Sequence, residues 1–174
     1  MIVISAGHFE RQRGATHDGI SEWELAVDWA SRVAFAIGPK LAVFCPSGFL
    51  KDKCAFINGL RGVKLACEIH FNAATAKAHG SETLYYPGSV IGKALASRVQ
   101  GRLGALMGPD RGVKEGYYRL DPAKGVDFFL KKTSTPSIIV EPAFLHDADL
   151  IEEYRVVGPK VIAEQLISFH QELT

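Results

Sequence analysis

The sequence predicts a single-domain α/β sandwich, with a twisted, mostly parallel central sheet and helices on both faces. Short apolar runs, Ile2-Val3-Ile4 and Ser137-Ile138-Ile139-Val140 among them, alternate with longer stretches of helical periodicity, the order that βαβ units produce. The runs stay apolar at successive positions, as strands covered on both faces do. Three runs end on residues able to do chemistry: His8, His70 and Glu141. The C-terminal edge of a parallel sheet is where α/β proteins place their sites.

The elements follow in order. Residues 1–7 make the first strand, closed by Gly7, with His8 directly after it. Residues 9–19 contain Gly14, Thr16, Asp18 and Gly19 and read as a loop. Ser21 then serves as an N-cap, with Glu24 as its capping-box partner. Ala26, Trp29, Ala30, Val33, Ala34 and Ile37 recur at helical spacing until Gly38-Pro39 stops the helix. Glu22 therefore falls in the first helical turn, beside the loop that holds His8. Residues 41–44 read as a strand and 52–60 as a short helix. The run 63–67 leads through Glu68-Ile69 to His70, and turn material extends from 72 to 80. Residues 81–86 alternate as a further strand, ended by Pro87-Gly88. Residues 89–107 form a long helix with Ile91, Leu95, Val99, Leu103 and Leu106 on one face, broken by Gly108-Pro109-Asp110-Arg111-Gly112. Tyr117-Tyr118-Arg119-Leu120 reads as a short strand, and 127–132 as the end of a brief helix. Pro136 introduces the strand ending at Glu141, and helices over 147–154 and 158–173 complete the chain.

At 174 residues the chain suffices for one domain burying roughly two-thirds of its unfolded surface. Its formal charge of +1 comes from acids and bases spread along the chain, which argues against a phosphate-neutralising, nucleic-acid-binding patch. The first residues lack a positive stretch followed by a long apolar core. Neither a signal peptide nor a membrane span is expected, and synthesis in the cytoplasm is. Three cysteines, Cys45, Cys54 and Cys67, without framework spacing predict buried thiols rather than disulfides, in keeping with a reducing compartment.

His8, Glu22, His70 and Glu141 supply, in number and type, what a catalytic zinc site requires. Such a site takes three protein ligands and leaves one position for water, with a separate carboxylate to move protons. The spacing is long-range, so no compact local motif supports the set. Plain structural readings stand beside it. A histidine at a strand end can be a hydrogen-bonded structural residue, and Glu22 can be a carboxylate stabilised by a helix N-terminus. Glu141 resists that reading, because a carboxylate after Ser-Ile-Ile-Val and before Pro142 is costly to bury unpaired. His17, His79, His146 and His170 suit surface or capping roles, with Asp147 as a helix cap.

Six pieces occur in a telling order: Ile4-Ser5-Ala6-Gly7-His8, Gly19-Ile20-Ser21-Glu22, Ile69-His70-Phe71-Asn72-Ala73, Gly80-Ser81-Glu82-Thr83-Leu84-Tyr85-Tyr86, Asp110-Arg111-Gly112-Val113-Lys114 and Pro136-Ser137-Ile138-Ile139-Val140-Glu141. Together they resemble the zinc-dependent N-acetylmuramoyl-L-alanine amidases of the amidase-3 type, over nearly the whole chain. The resemblance implies that His8, Glu22 and His70 hold one Zn2+ and that Glu141 is the catalytic carboxylate. Glu24 competes for the metal, but the family's glycine three residues before its ligand matches Gly19 and selects Glu22. Asn72 and Arg111 match recurrent positions without an assigned role. The chain departs from the family at Ser5-Ala6, where an acidic residue and a proline are usual, and at Pro142-Ala143-Phe144, where Gly-Phe is usual.

The implied activity is hydrolysis of the amide between N-acetylmuramic acid and L-alanine in peptidoglycan, with no nucleic-acid or membrane partner. Residues 1–174 are expected to form one catalytic domain with no separate wall-binding domain. That organisation, without a signal peptide, suits a phage or prophage endolysin acting on the wall after release. Another zinc peptidase or carboxypeptidase acting on wall peptides, and a non-catalytic wall-binding module, are the alternatives.

Overall fold

The computed structural model describes residues 1–74 and 77–173; of the turn expected over 72–80, residues 75–76 lie outside the described residues. Strand β1 (Ile2–Ala6) is buried along its whole length. The stretch expected as a loop contains a small antiparallel ladder of β2 (Thr16–His17) and β3 (Ile20–Ser21). Helix α1 (Glu22–Ile37) begins with the expected capping box. The Ser21 N–H donates to the Glu24 carboxylate at 2.9 Å, and the Ser21 hydroxyl accepts from the Glu24 N–H at 3.4 Å. Such caps contribute about 0.5–2 kcal/mol. There follow β4 (Ala42–Phe44), α2 (Leu50–Gly59), β5 (Leu65–Ile69), β6 (Ser81–Tyr85) and α3 (Val90–Met107). The chain continues through β7 (Asp110–Glu115), α4 (Phe128–Lys132), β8 (Ser137–Glu141), α5 (Ala148–Glu153) and α6 (Val157–Glu172).

Six strands form one sheet in the order β4-β1-β5-β8-β6-β7. The first four are mutually parallel; β6 runs antiparallel to β8, and β7 is parallel to β6. The C-terminal ends of β1, β5 and β8 therefore share an edge with the N-terminal end of β6, and Glu82 stands opposite Glu141.

Side chains alternate between the faces of a strand, and that alternation sorts the core. Ile4, Leu65, Cys67, Ile69 and Val140 pack with Trp29 and Val33 of α1, Leu95 and Val99 of α3, and Leu166 of α6. On the opposite face Val3, Ala66, Leu84 and Ile139 meet Cys54 and Ile57 of α2 and Phe129 and Leu130 of α4. Toward the shared edge this second face turns polar: the same alternation brings Ser5, Glu68, His70, Glu82 and Glu141 onto it.

Two expectations are corrected. Residues 118–120 form a 3-10 turn with Arg119 and Leu120 at φ 53°, not a strand. A strand lies earlier, at β7, whose first residues, Asp110 to Gly112, read only as part of a helix break. It is an edge strand, mostly half-buried and paired on one side alone, so it lacks the apolar run that marks its neighbours. All three cysteines are free and buried, as expected. Among the described residues no helix is long and apolar enough to cross a membrane.

Candidate metal centre and active site

His8 leaves the end of β1 with φ 59°, a left-handed conformation uncommon for a side-chain-bearing residue and typical of over-determined sites. Its Nε2 lies 2.9 Å from Glu22 Oε2. His70, directly after β5, places Nδ1 2.8 Å from Glu22 Oε1. The two rings meet edge to face with centroids 5.1 Å apart. Both carboxylate oxygens of one buried glutamate thus face an imidazole nitrogen, and the three ligand atoms lie within 4.8 Å of one another. Two imidazoles and a carboxylate are a zinc-type donor set, so the residues present fit such an ion. Glycines make the approach feasible. A Cβ at Gly7 would stand 2.5 Å from the His70 ring, and one at Gly14 2.6 Å from Glu22 Oε2.

The other nitrogen of His70 is also held. Nε2 donates to Glu68 Oε1 at 3.0 Å, and the second oxygen of Glu68 accepts from Ser5 Oγ at 2.8 Å and Lys53 Nζ at 3.2 Å. Lys53 reaches in from α2 and donates also to the Ala6 carbonyl. Burial alone would raise both carboxyls. Hydrogen bonds from His70 and His8 bring Glu22 down to about 2, and the Lys53 charge with His70 does the same for Glu68. Burial lowers His70, but its two carboxylate partners outweigh that and raise it well above the usual imidazole value.

Glu141 ends β8 and lines the same cleft of ≈ 600 Å³ as His8, Glu22 and His70. Burial pushes its carboxyl up to about 7, against the opposing pull of His70. A carboxyl poised there suits proton transfer near neutral pH. Leu84, Ile139 and residues 117–120 complete the wall. A larger concavity of ≈ 820 Å³ lies between α1 and α6 around Phe35, Val156 and Ile167, but among the described residues no such donor set converges there. Glu24 is turned away from the centre into its cap and an ion pair with Arg13 at 2.8 Å.

Residues 2–155 match the family model described as N-acetylmuramoyl-L-alanine amidase. The chain belongs to this family. A similar curated protein is the N-acetylmuramoyl-L-alanine amidase LytC of Bacillus subtilis (strain 168), 29% identical over 98% of this chain and 35% of that protein. The chain thus spans about a third of that relative's length. Solved structures share the fold: an N-acetylmuramoyl-L-alanine amidase from Clostridium difficile 630 has a TM-score of 0.83 at 22% identity, covering 98% of this chain and 96% of the other. The catalytic domain of CwlV from Bacillus (Paenibacillus) polymyxa var. colistinus has the same TM-score and identity over 98% and 97%. The catalytic domain of the CD27L endolysin has a TM-score of 0.77 at 23% identity, covering 96% of each chain.

Within this amidase-family chain, Asn72 and Arg111 acquire a structural account. Glu82 Oε1 accepts from Asn72 Nδ2 at 2.8 Å, while Oε2 accepts from Arg111 Nε at 2.7 Å and Lys114 Nζ at 2.6 Å. Burial raises the Glu82 carboxyl, and these three donors reverse the shift and lower it. The unusual Pro142-Ala143-Phe144 is tied to Asn72 as well: the Asn72 N–H donates to the Ala143 carbonyl, and the Leu145 N–H to the Asn72 carbonyl, each at 2.9 Å. Sequence reasoning gave no role to Glu68, Lys53 or Glu82. The available signal was a carboxylate inside each apolar strand, with Glu68 two residues before His70 and so on its face. His170, expected at the surface, is buried with Nε2 3.3 Å from the N-terminal amine. His79 and His146 are also brought together, away from His8 and His70.

Proposed function

We propose that this chain is a zinc-dependent peptidoglycan amidase hydrolysing the bond between the lactyl group of N-acetylmuramic acid and the L-alanine of the stem peptide. The carrying observation is the convergence of His8, Glu22 and His70 beside a half-buried Glu141 in one cleft, in a chain of the amidase family. His8, Glu22 and His70 would hold the ion, which when bound acts as a Lewis acid toward a carbonyl and lowers the pKa of water. Glu141 takes a proton from the attacking water and returns it to the departing amine. Glu68 fixes the His70 ring through Nε2, leaving Nδ1 for the metal. The turn at 117–120 offers Tyr117 and Tyr118 as apolar surface for the glycan or stem peptide. The finer setting we propose is a phage or prophage endolysin; the fold is common to the CD27L endolysin catalytic domain and to amidases such as CwlV, so it accommodates that setting without selecting it.

Turnover of a soluble muropeptide containing the N-acetylmuramoyl-L-alanine bond, by wild type and Glu141→Gln, tests the reading. Cleavage by wild type alone supports it. Equal rates for both would remove Glu141 from the reaction, and cleavage only between amino acids would favour a peptidase.

A further inference from the structure

A second group of metal-type donors lies outside the centre described above. His79, one residue short of β6 across Gly80, and His146 and Asp147, directly before α5, bring one ligand atom each to within 4.8 Å of one another. His79 Nδ1 lies 2.6 Å from Asp147 Oδ1, and His146 Nε2 lies 3.8 Å from the same oxygen. The two imidazoles meet edge to face with centroids 5.2 Å apart.

Two features distinguish this group from an ordinary surface ion pair. Asp147 occupies the N-cap position of α5, yet its side chain makes no capping hydrogen bond. Its carboxylate is turned to His79 instead, and its second oxygen, Oδ2, is buried with no hydrogen-bond partner. His146 Nε2 is buried and unpartnered too. A buried nitrogen and oxygen left without partners are costly, and a cation shared by both removes that cost. His146 and Asp147 side chains are each only 11% exposed, whereas His79 is 49% exposed, so the group is anchored inside and open to solvent on one side.

We propose that His79, His146 and Asp147 form a second cation site, for zinc or a similar borderline divalent ion, with its remaining position open to water. Two imidazoles and one carboxylate favour such an ion over magnesium or calcium, which take oxygen ligands. The site is structural. Asn72 is already tied through its backbone to Ala143 and Leu145, and the ion would tie His79 to His146 and Asp147 just beyond them. Asn72 and Ala73 line the catalytic cleft, so the clamp steadies one rim of it.

Zinc content after chelator stripping, reloading with zinc chloride and desalting decides the matter, independently of activity. Wild type is expected to hold two equivalents, the His79→Ala/His146→Ala double variant one, and His70→Ala one. Asp147→Asn, nearly isosteric, is expected to lose the same equivalent as the double variant, with circular dichroism reporting an intact fold. Zinc content equal to wild type in both the double variant and Asp147→Asn overturns the proposal. The His70→Ala result reports on the catalytic centre alone, so the two readings fail separately.

Discussion

Glu68 accepts the Nε2–H of His70 at 3.0 Å, from two residues earlier on the same strand face. This bond fixes which nitrogen of the ring faces Glu22, and Lys53 and Ser5 in turn fix Glu68. The proposed metal ligand His70 is thereby positioned by a buried ion pair that lies outside the His8, Glu22 and His70 donor set. Outer partners of this kind are worth about 10–100-fold in metal affinity.

Glu68→Gln is therefore expected to weaken zinc binding by about 10–100-fold, read by competition with a chromophoric chelator. It also strands Lys53 in the interior, and breaking a buried pair costs about 3–5 kcal/mol. The double variant Lys53→Met/Glu68→Gln is expected to recover thermal stability while the affinity stays low. Recovery of both would make Glu68 a stability residue only.

Glu22 and Glu24 separate cleanly. Glu22→Gln is expected to lose zinc, because its two oxygens face the two imidazoles. Glu24→Ala is expected to keep zinc and to lose about 1 kcal/mol of stability with its half of the capping box. Zinc analysis and thermal melts of both variants check this.

Much of this was legible from the chain, and the remainder had a physical reason to be hidden. His8, His70 and Glu141 stand out because each terminates an apolar run, and Ser21 with Glu24 marks the helix start that carries Glu22. Glu68 and Glu82 do not, because their partners Lys53, Arg111 and Lys114 lie 15, 29 and 32 residues away and meet them only in the folded sheet. β7 lacks an apolar signature because half-buried edge positions do not demand one. The aromatic residues at 117–118 look like strand material, but they line a cleft rather than a core. His79 and Asp147 are 68 residues apart and share no local pattern.

Glu141 carries a pH signature of definite sign. Its carboxyl is raised to about 7 by burial, so the base form that the proposed mechanism uses is lost as pH falls. kcat/KM of the zinc-loaded enzyme is expected to fall on the acid side with a midpoint at or below about 7, since a nearby cation favours the charged carboxylate. In metal-free protein the raised value means that deprotonation destabilises the fold progressively from about 4.5 to about 7. Glu141→Gln is then expected to melt higher than wild type at pH 8 and alike at pH 4. At this chain length each kcal/mol amounts to about 2–4 °C. Turnover should drop about 10²–10⁴-fold in the same variant, with zinc content unchanged.

Gly7→Ala tests the packing that allows His70 its place. The new methyl would stand 2.5 Å from the imidazole, so the ring must shift. Overpacking of this kind costs about 1–3 kcal/mol, and zinc affinity is expected to fall with stability. Gly48→Ala, where a methyl meets nothing within 4 Å, is the matched control and should change neither. Unaltered zinc affinity in Gly7→Ala would show that the ring has room to spare.

The most direct test is mass spectrometry of purified peptidoglycan after digestion, with chelator-treated and zinc-restored enzyme in parallel. Stem peptides released with a free L-alanine amino terminus, absent after chelation and restored by zinc, are the expected result. Peptides cut at other bonds, or release that persists undiminished without metal, would contradict the proposed zinc-dependent amidase.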